Sequence, residues 1–270
     1  MAQGYYRDVW KIFEYDASAR RALKTLRYSH EYSPDRFKRH RRDAIAYDVL
    51  TSSPYVANIY GFCSNSALHD FSDDGDLSKL FDRNNNPSKE ELLRIAHRLV
   101  SSVSDAHHVD ERGRATMVHN DIKPNQWIRI DGEFRLNDFN RNKLLTWNPL
   151  KNTTTKFYFS DNQGKWRSPE EYAKDWSTEK VDIWSLGMVL YFLHSRASPF
   201  GNFPDLSSIY EFVKEGGHPI IEDESILRSK HPFDVAILKS MKRCLVKDID
   251  QRASAREVQD IFVKALKQIV

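Results

Sequence analysis

Two aspartates, Asp121 and Asp138, are the residues of this sequence best placed to do chemistry together. Each closes a short apolar run: Met117-Val118 stands before Asp121, and Phe134 and Leu136 stand before Asp138. Between them the Asp131-Gly132 pair is a turn of the kind that joins two antiparallel strands. Both carboxylates would then arrive at one end of a small ribbon. Carboxylates so paired suit phosphoryl transfer from a nucleotide, one orienting the acceptor hydroxyl and the other holding Mg2+. An Asp followed downstream by Asp-Phe is a weak signal by itself, so the elements that must hold the pair decide the reading.

Those elements can be taken in chain order. Residues 3–14 alternate towards their end as a strand does. A helix starts after the Ser33-Pro34-Asp35 cap signal and runs to about Leu50, with Phe37, Ala44, Ile45, Tyr47 and Leu50 available to face inward. Tyr55 to Asp70 reads as two strands around Gly61. Residues 89–107 show helical spacing at Leu92, Ile95, Ala96, Leu99 and Val103, and the helix ends at His107-His108. Paired histidines invite a metal site, but no further His or Cys stands nearby to complete one. Asp110–Ala115 is a polar surface loop. Beyond Asp138 a stretch rich in Asn, Thr and Lys leads to Val181 and an apolar helix ending near Leu193.

Composition bounds the rest. At 270 residues, 40% apolar and 29% charged, the chain reads as a soluble globular protein able to bury one large core or two lobes. The longest apolar run, Met188–Leu193, is far too short to cross a bilayer, and no secretory leader is visible. Cys63 and Cys244 make no disulfide framework and fit a reducing compartment, so the expected location is the cytoplasm, with the nucleus as the alternative. The Asn152-Thr153-Thr154 sequon is then a coincidence. The net charge is +3, with Arg36, Lys38, Arg39, Arg41 and Arg42 supplying much of the excess. These five read as a solvated helix face rather than a nucleic-acid patch.

In order and at their spacing, these stretches resemble a protein kinase domain. His119-Asn120-Asp121-Ile122-Lys123-Pro124-Asn125-Gln126 resembles the catalytic loop His-Arg-Asp-x-x-x-x-Asn, and Asp138-Phe139-Asn140 resembles Asp-Phe-Gly. Asn120 stands for the Arg, Gln126 for the Asn and Asn140 for the Gly. Ser168-Pro169-Glu170 resembles Ala-Pro-Glu, Val181-Asp182-Ile183-Trp184-Ser185-Leu186-Gly187 the helix whose Asp bonds the catalytic-loop backbone, and Arg252 the partner of Glu170. The resemblance spans nearly the whole chain. It implies an α+β, bilobal fold in a single domain of residues 1–270. A small antiparallel-sheet lobe with one helix would occupy 1–72 and a larger, mainly helical lobe 73–270. The strand that should precede Gly4 is missing from this reading, so the chain is truncated or its sheet is one strand short.

The resemblance also implies roles. Asp121 would orient the acceptor hydroxyl and Lys123 would contact the transferred phosphate. Asp138 and Gln126 would hold Mg2+. ATP would lie between Val9 and Ala22 above and Ile128 below, with Gly4 in the lid, Lys24 on the phosphates, Asp43 holding Lys24, and Asp70 and Ser72 at the hinge behind gatekeeper His69. Arg7 reads as an exposed arginine. The expected partner is a protein substrate, with Ser/Thr favoured by Lys123 although Lys165-Trp166-Arg167 looks tyrosine-kinase-like. No nucleic acid and no membrane contact are expected, and the chain is expected to be a monomer. Choline- and aminoglycoside-kinase-like enzymes also use His-x-Asp loops, but are not expected to show Ser-Pro-Glu with Asp-Ile-Trp-Ser-x-Gly. The rival is a pseudokinase, because the lid is glycine-poor and Asp43, Gln126 and Asn140 depart from the pattern. Asn140 is a mild change, since Asn tolerates left-handed backbone. Asn120 has no charge to pair with a phosphate on Thr153, Thr154, Thr155 or Ser160, so activity should not need activation-segment phosphorylation.

Overall fold

A computed structural model describes residues 2–3, 7–16, 18–82, 85–110, 113–158 and 163–269. Five antiparallel strands form the small lobe: β1 (Ala2–Gln3), β2 (Arg7–Glu14), β3 (Ala19–Leu26), β4 (Ile59–Cys63) and β5 (Ser66–Asp70). Their order is β1-β2-β3-β5-β4. The strand expected to be missing is therefore present as a two-residue stub, Ala2 opposite Val9 and Gln3 opposite Asp8. Two residues carry no alternation, so no periodicity could reveal it. Gly4 lies outside the described residues.

Helix α1 (Pro34–Val49) packs against β4 and against the turn Phe139–Arg141. Ser33 caps it, its side chain accepting from the Arg36 N–H, and Pro34 occupies the first turn where no N–H is needed. Its inner face differs a little from expectation. Asp43, Ala44, Ala46 and Tyr47 are buried, whereas Phe37 and Ile45 are half-buried.

The large lobe begins with α2 (Lys89–His107), started by a reciprocal Ser88–Glu91 capping box. Leu93, Leu99 and Val103 on its inner face are fully buried, each stabilising the fold by about 1.5–3 kcal/mol. Then come β6 (Met117–Val118), the hairpin β7 (Trp127–Ile130) and β8 (Glu133–Leu136), and β9 (Lys143–Leu144), which pairs with β6. Asp131 and Gly132 both take positive φ, 52° and 81°, as the two-residue turn between β7 and β8 requires. A second small hairpin, β10 (Trp147–Asn148) with β11 (Thr153–Thr154), follows.

Helices α3 (Pro169–Tyr172), α4 (Lys180–Ser195), α5 (Leu206–Lys214), α6 (Glu224–Leu227), α7 (Pro232–Cys244) and α8 (Ala255–Leu266) complete the chain. Helix α4 is apolar on every side because α2 and α7 pack around it. Gly187 permits the closest of these approaches, since a Cβ there would lie 2.7 Å from Cys244 Cβ and 2.9 Å from Leu245. Among the described residues no helix is long and apolar enough to cross a membrane.

Candidate active site between the lobes

The catalytic-loop segment leaves β6 at Val118 and turns sharply, with Asn120 in the left-handed region at φ 61°. Asp182, from the first turn of α4, holds that turn. Its Oδ2 accepts from the His119 N–H at 2.7 Å and its Oδ1 from the Asn120 N–H at 2.8 Å. His107 Nε2 meets the same Oδ2 at 3.0 Å, so the histidine that invited a metal is a partner of this aspartate. Its neighbour His108 meets the Ser104 carbonyl. No cluster of three metal-ligating His, Cys, Asp or Glu side chains occurs among the described residues.

This scaffold aims Asp121 into a cleft of about 680 Å3 whose walls include Lys24, Lys123, Gln126, Asn137 and Asp138. Both carboxylate oxygens of Asp121 are occupied. Oδ1 accepts from Arg167 Nη2 at 2.5 Å, while Oδ2 accepts from Gln126 Nε2 at 2.6 Å and lies 2.9 Å from Lys123 Nζ. Burial pushes this carboxyl up, but Arg167 and Lys123 outweigh it and hold Asp121 below the usual carboxylate range.

Across the cleft Lys24 Nζ donates to Asn137 Oδ1 at 3.0 Å. The Tyr47 hydroxyl donates to that same oxygen at 2.7 Å and accepts from the Asp138 N–H at 2.7 Å. Asp138 is held at φ 65°, a left-handed conformation uncommon outside glycine. Its carboxylate makes no hydrogen bond among the described residues. Burial raises its pKa, Lys24 opposes that, and Asp43 adds to it.

An unbonded carboxylate that shares the cleft with an amide side chain is a donor set that fits Mg2+. That ion takes one or two protein oxygens and completes its shell with phosphate and water. Asp138 would supply the carboxylate. The Gln126 amide, whose nitrogen is fixed on Asp121, would supply its oxygen.

Several expectations need correction. Lys24 and Asp43 form no ion pair. Asp43, buried on α1, is paired by Arg7, which is itself 8% exposed rather than a solvated arginine. Arg7 brings a second cation to the site, and a shorter Asp in place of Glu leaves Lys24 to Asn137. The left-handed residue of the Asp-Phe-Asn motif is Asp138. Asn140 lies in a single 3-10 turn, Phe139–Arg141, so its tolerance of positive φ is not used.

Of the expected adenine contacts, Val9 lines the cleft, while Ala22, Asp70, Ser72 and Ile128 are not among its walls. Asp70's carboxylate is bonded by the Asn58 N–H at 2.8 Å, the Tyr60 hydroxyl at 2.6 Å and Arg135 at 3.3 Å. The Ser72 hydroxyl donates to the Gly75 carbonyl. Both side chains thus stabilise the hinge itself. His69 is 1% exposed, neutral because burial pushes its pKa well down, and packed on Tyr47 with ring centroids 4.5 Å apart.

The long-range pair between Glu170 and Arg252 forms as two hydrogen bonds of 2.7 and 3.1 Å. Compared with known proteins, residues 1–262 match the protein kinase domain. The chain belongs to the protein kinase family. Over 229 residues it is 29% identical to mitogen-activated protein kinase kinase 1 of Arabidopsis thaliana, an alignment covering 80% of this chain and 60% of the relative. It is 26% identical over 185 residues to the serine/threonine-protein kinase PrkC of Bacillus subtilis, covering 66% of this chain and 27% of the relative. Serine/threonine-protein kinase STE20 of Candida glabrata matches at 28% over 145 residues, 53% of this chain and 14% of the relative. The chain thus spans 60% or less of the length of these relatives. Kinases of this family generally use ATP and Mg2+. Thr153 and Thr154 of the segment after the Asp-Phe-Asn motif lie on β11, against Trp147 and Asn148 of β10, and Ser160 lies outside the described residues.

Proposed function

We propose that this chain moves the γ-phosphoryl group of ATP to a hydroxyl of a protein substrate, Ser or Thr in preference to Tyr. The observation that carries this reading is the convergence of Asp121, Lys123, Gln126, Lys24 and Asp138 on one cleft. Lys24 and Lys123 place positive charge on opposite sides, where the phosphates and the transferred group would lie. Asp138 and Gln126 would hold Mg2+, which when bound neutralises charge on the phosphate oxygens.

Asp121, fixed from both sides, is oriented to receive the acceptor O–H on a remaining lone pair. Each carboxylate oxygen has two such sites. Its depressed pKa makes it an orienting group more than a strong base, which suits a reaction whose catalysis is mostly positioning and electrostatics. The named Ser/Thr kinases among the relatives favour a Ser/Thr acceptor.

A second reading is a catalytically silent module that binds nucleotide or serves as a scaffold. The filled carboxylate of Asp121 favours it. Incubation with radiolabelled ATP, Mg2+ and generic Ser/Thr and Tyr acceptor proteins tests the two readings. The expected result is label on the Ser/Thr acceptor from the wild type and none from Asp138→Asn. Absence of transfer by the wild type to any acceptor would leave the silent module as the better description.

A further inference from the structure

Helix α1 buries two side chains whose partners line the cleft, Asp43 and Tyr47. Asp43 is 1% exposed, and Arg7 is its one hydrogen-bond partner among the described residues. Arg7 is the first residue of β2. Lys24, which the family resemblance assigns to Asp43, is engaged by Asn137 instead. Tyr47, one turn beyond Asp43, bonds both the Asn137 side chain and the Asp138 N–H. A continuous line of contacts therefore runs from Arg7 to Asp43, along α1 to Tyr47, and from Tyr47 to Asp138.

We propose that Arg7 is the positioning residue that fastens α1 to the sheet through Asp43 and, through Tyr47, sets the position of Asp138. This work falls to Arg7 and not to Lys24. An arginine suits the task because its guanidinium is always charged and offers five N–H donors in a rigid fork. One arm can hold Asp43 while others still face the cleft, whose wall Arg7 also forms.

The surroundings explain why the pair is needed. Arg7 and Lys24 are two cations packed against two carboxylates, Asp43 and Asp138. Asp43 is held below the usual carboxylate range, Arg7 and then Lys24 outweighing its burial. Removing either member of a buried pair leaves the other uncompensated, a strongly destabilising change. The consequence for mechanism is that β2 and α1 move as one body, so the metal-binding end of the cleft is set from the sheet side. Only this last link, from α1 to a metal site at Asp138, rests on the proposed function.

Hydrogen exchange of the full chain without nucleotide tests the anchoring directly. Arg7→Gln and Asp43→Asn should each accelerate amide exchange in residues 34–49 at least tenfold, and the double variant should add little to either. Lys24→Gln should leave the same amides within about threefold. Arg7→Lys, which keeps the charge and loses the fork, should fall between wild type and Arg7→Gln. If Arg7→Gln does not fold, Arg7→Lys and Asp43→Asn still decide the matter.

The second readout is the Mg2+ concentration that half-saturates the ATP-dependent rise in melting temperature. It should increase at least fivefold in Arg7→Gln and equally in Tyr47→Phe, a change that a merely stabilising residue would not produce. Lys24→Gln loosening α1 as much as Arg7→Gln, or Arg7→Gln and Arg7→Lys both leaving exchange unchanged, would overturn the proposal. A wild type that shows no response to ATP would refute the proposed function, while the exchange comparison would still judge the anchor.

Discussion

Asp121 is clasped from both sides, by Arg167 on one oxygen and by Gln126 and Lys123 on the other. The clasp fixes where an acceptor hydroxyl can bind, and it keeps the carboxylate ionised throughout the physiological range. Asp121→Asn should therefore cut phosphoryl transfer by about a hundredfold or more, roughly 2.7 kcal/mol of barrier, while the Kd for ATP stays within about threefold. Nucleotide binding measured by titration checks this, and an equal loss of ATP affinity would mean that Asp121 serves the nucleotide instead. Asp121 and Asp138 stood out by type and spacing because phosphoryl transfer calls for a pair of carboxylates, whereas Lys24 was singled out only through the family resemblance. Arg7 and Arg167 stood out by neither route. Both sit where the sequence offers an ordinary charged residue, and only the burial of their partners, Asp43 and Asp121, gives them a role. Tyr47 was visible as a core residue, but its hydroxyl bonds to Asn137 and Asp138 depend on a helix placement that no local pattern reveals.

Helix α1 joins the sheet to the site, and its ends were plain in the sequence from Ser33-Pro34 and Leu50. On its buried face His40 meets Asn65 Oδ1 at 3.1 Å through Nδ1. Burial, with Arg7 adding to it and Asp43 opposing, lowers its pKa to about 4. Because the folded value lies below the unfolded one of about 6.5, the unfolded chain takes the proton first as pH falls. The stability contributed by neutral His40 is thus complete above pH 6.5 and is lost progressively down to about 4. His40→Gln should accordingly show a smaller fall in melting temperature between pH 7 and pH 5 than the wild type. An identical fall would show that other groups dominate this window. At the same scale, β1, β10 and β11 escaped the sequence because two-residue strands carry no period. Helix α2 did not, since five regularly spaced apolar residues mark it.

The helices of the larger lobe depend on a few long-range ties, among them Glu170 with Arg252. Arg252 is 2% exposed and also donates to the carbonyls of Lys180 and Val246, so it is held in place whether or not Glu170 remains. Glu170→Gln should destabilise the chain by about 3 kcal/mol, read from the denaturant midpoint, because it strands a buried charge. A loss under about 1 kcal/mol would show that the carbonyls suffice. This pair was readable only through the family pattern, since no local signal links residues so far apart in the chain. The central claim, that the cleft is a Mg2+-nucleotide site built on Asp138, is tested most directly by melting temperature with ATP alone and with ATP plus Mg2+. Mg2+ should add several degrees to the ATP shift in the wild type, as about 2.7 kcal/mol of binding at a hundredfold excess over Kd would do, and should add nothing in Asp138→Asn. No increment from Mg2+ in the wild type, or the same increment in Asp138→Asn, would contradict it.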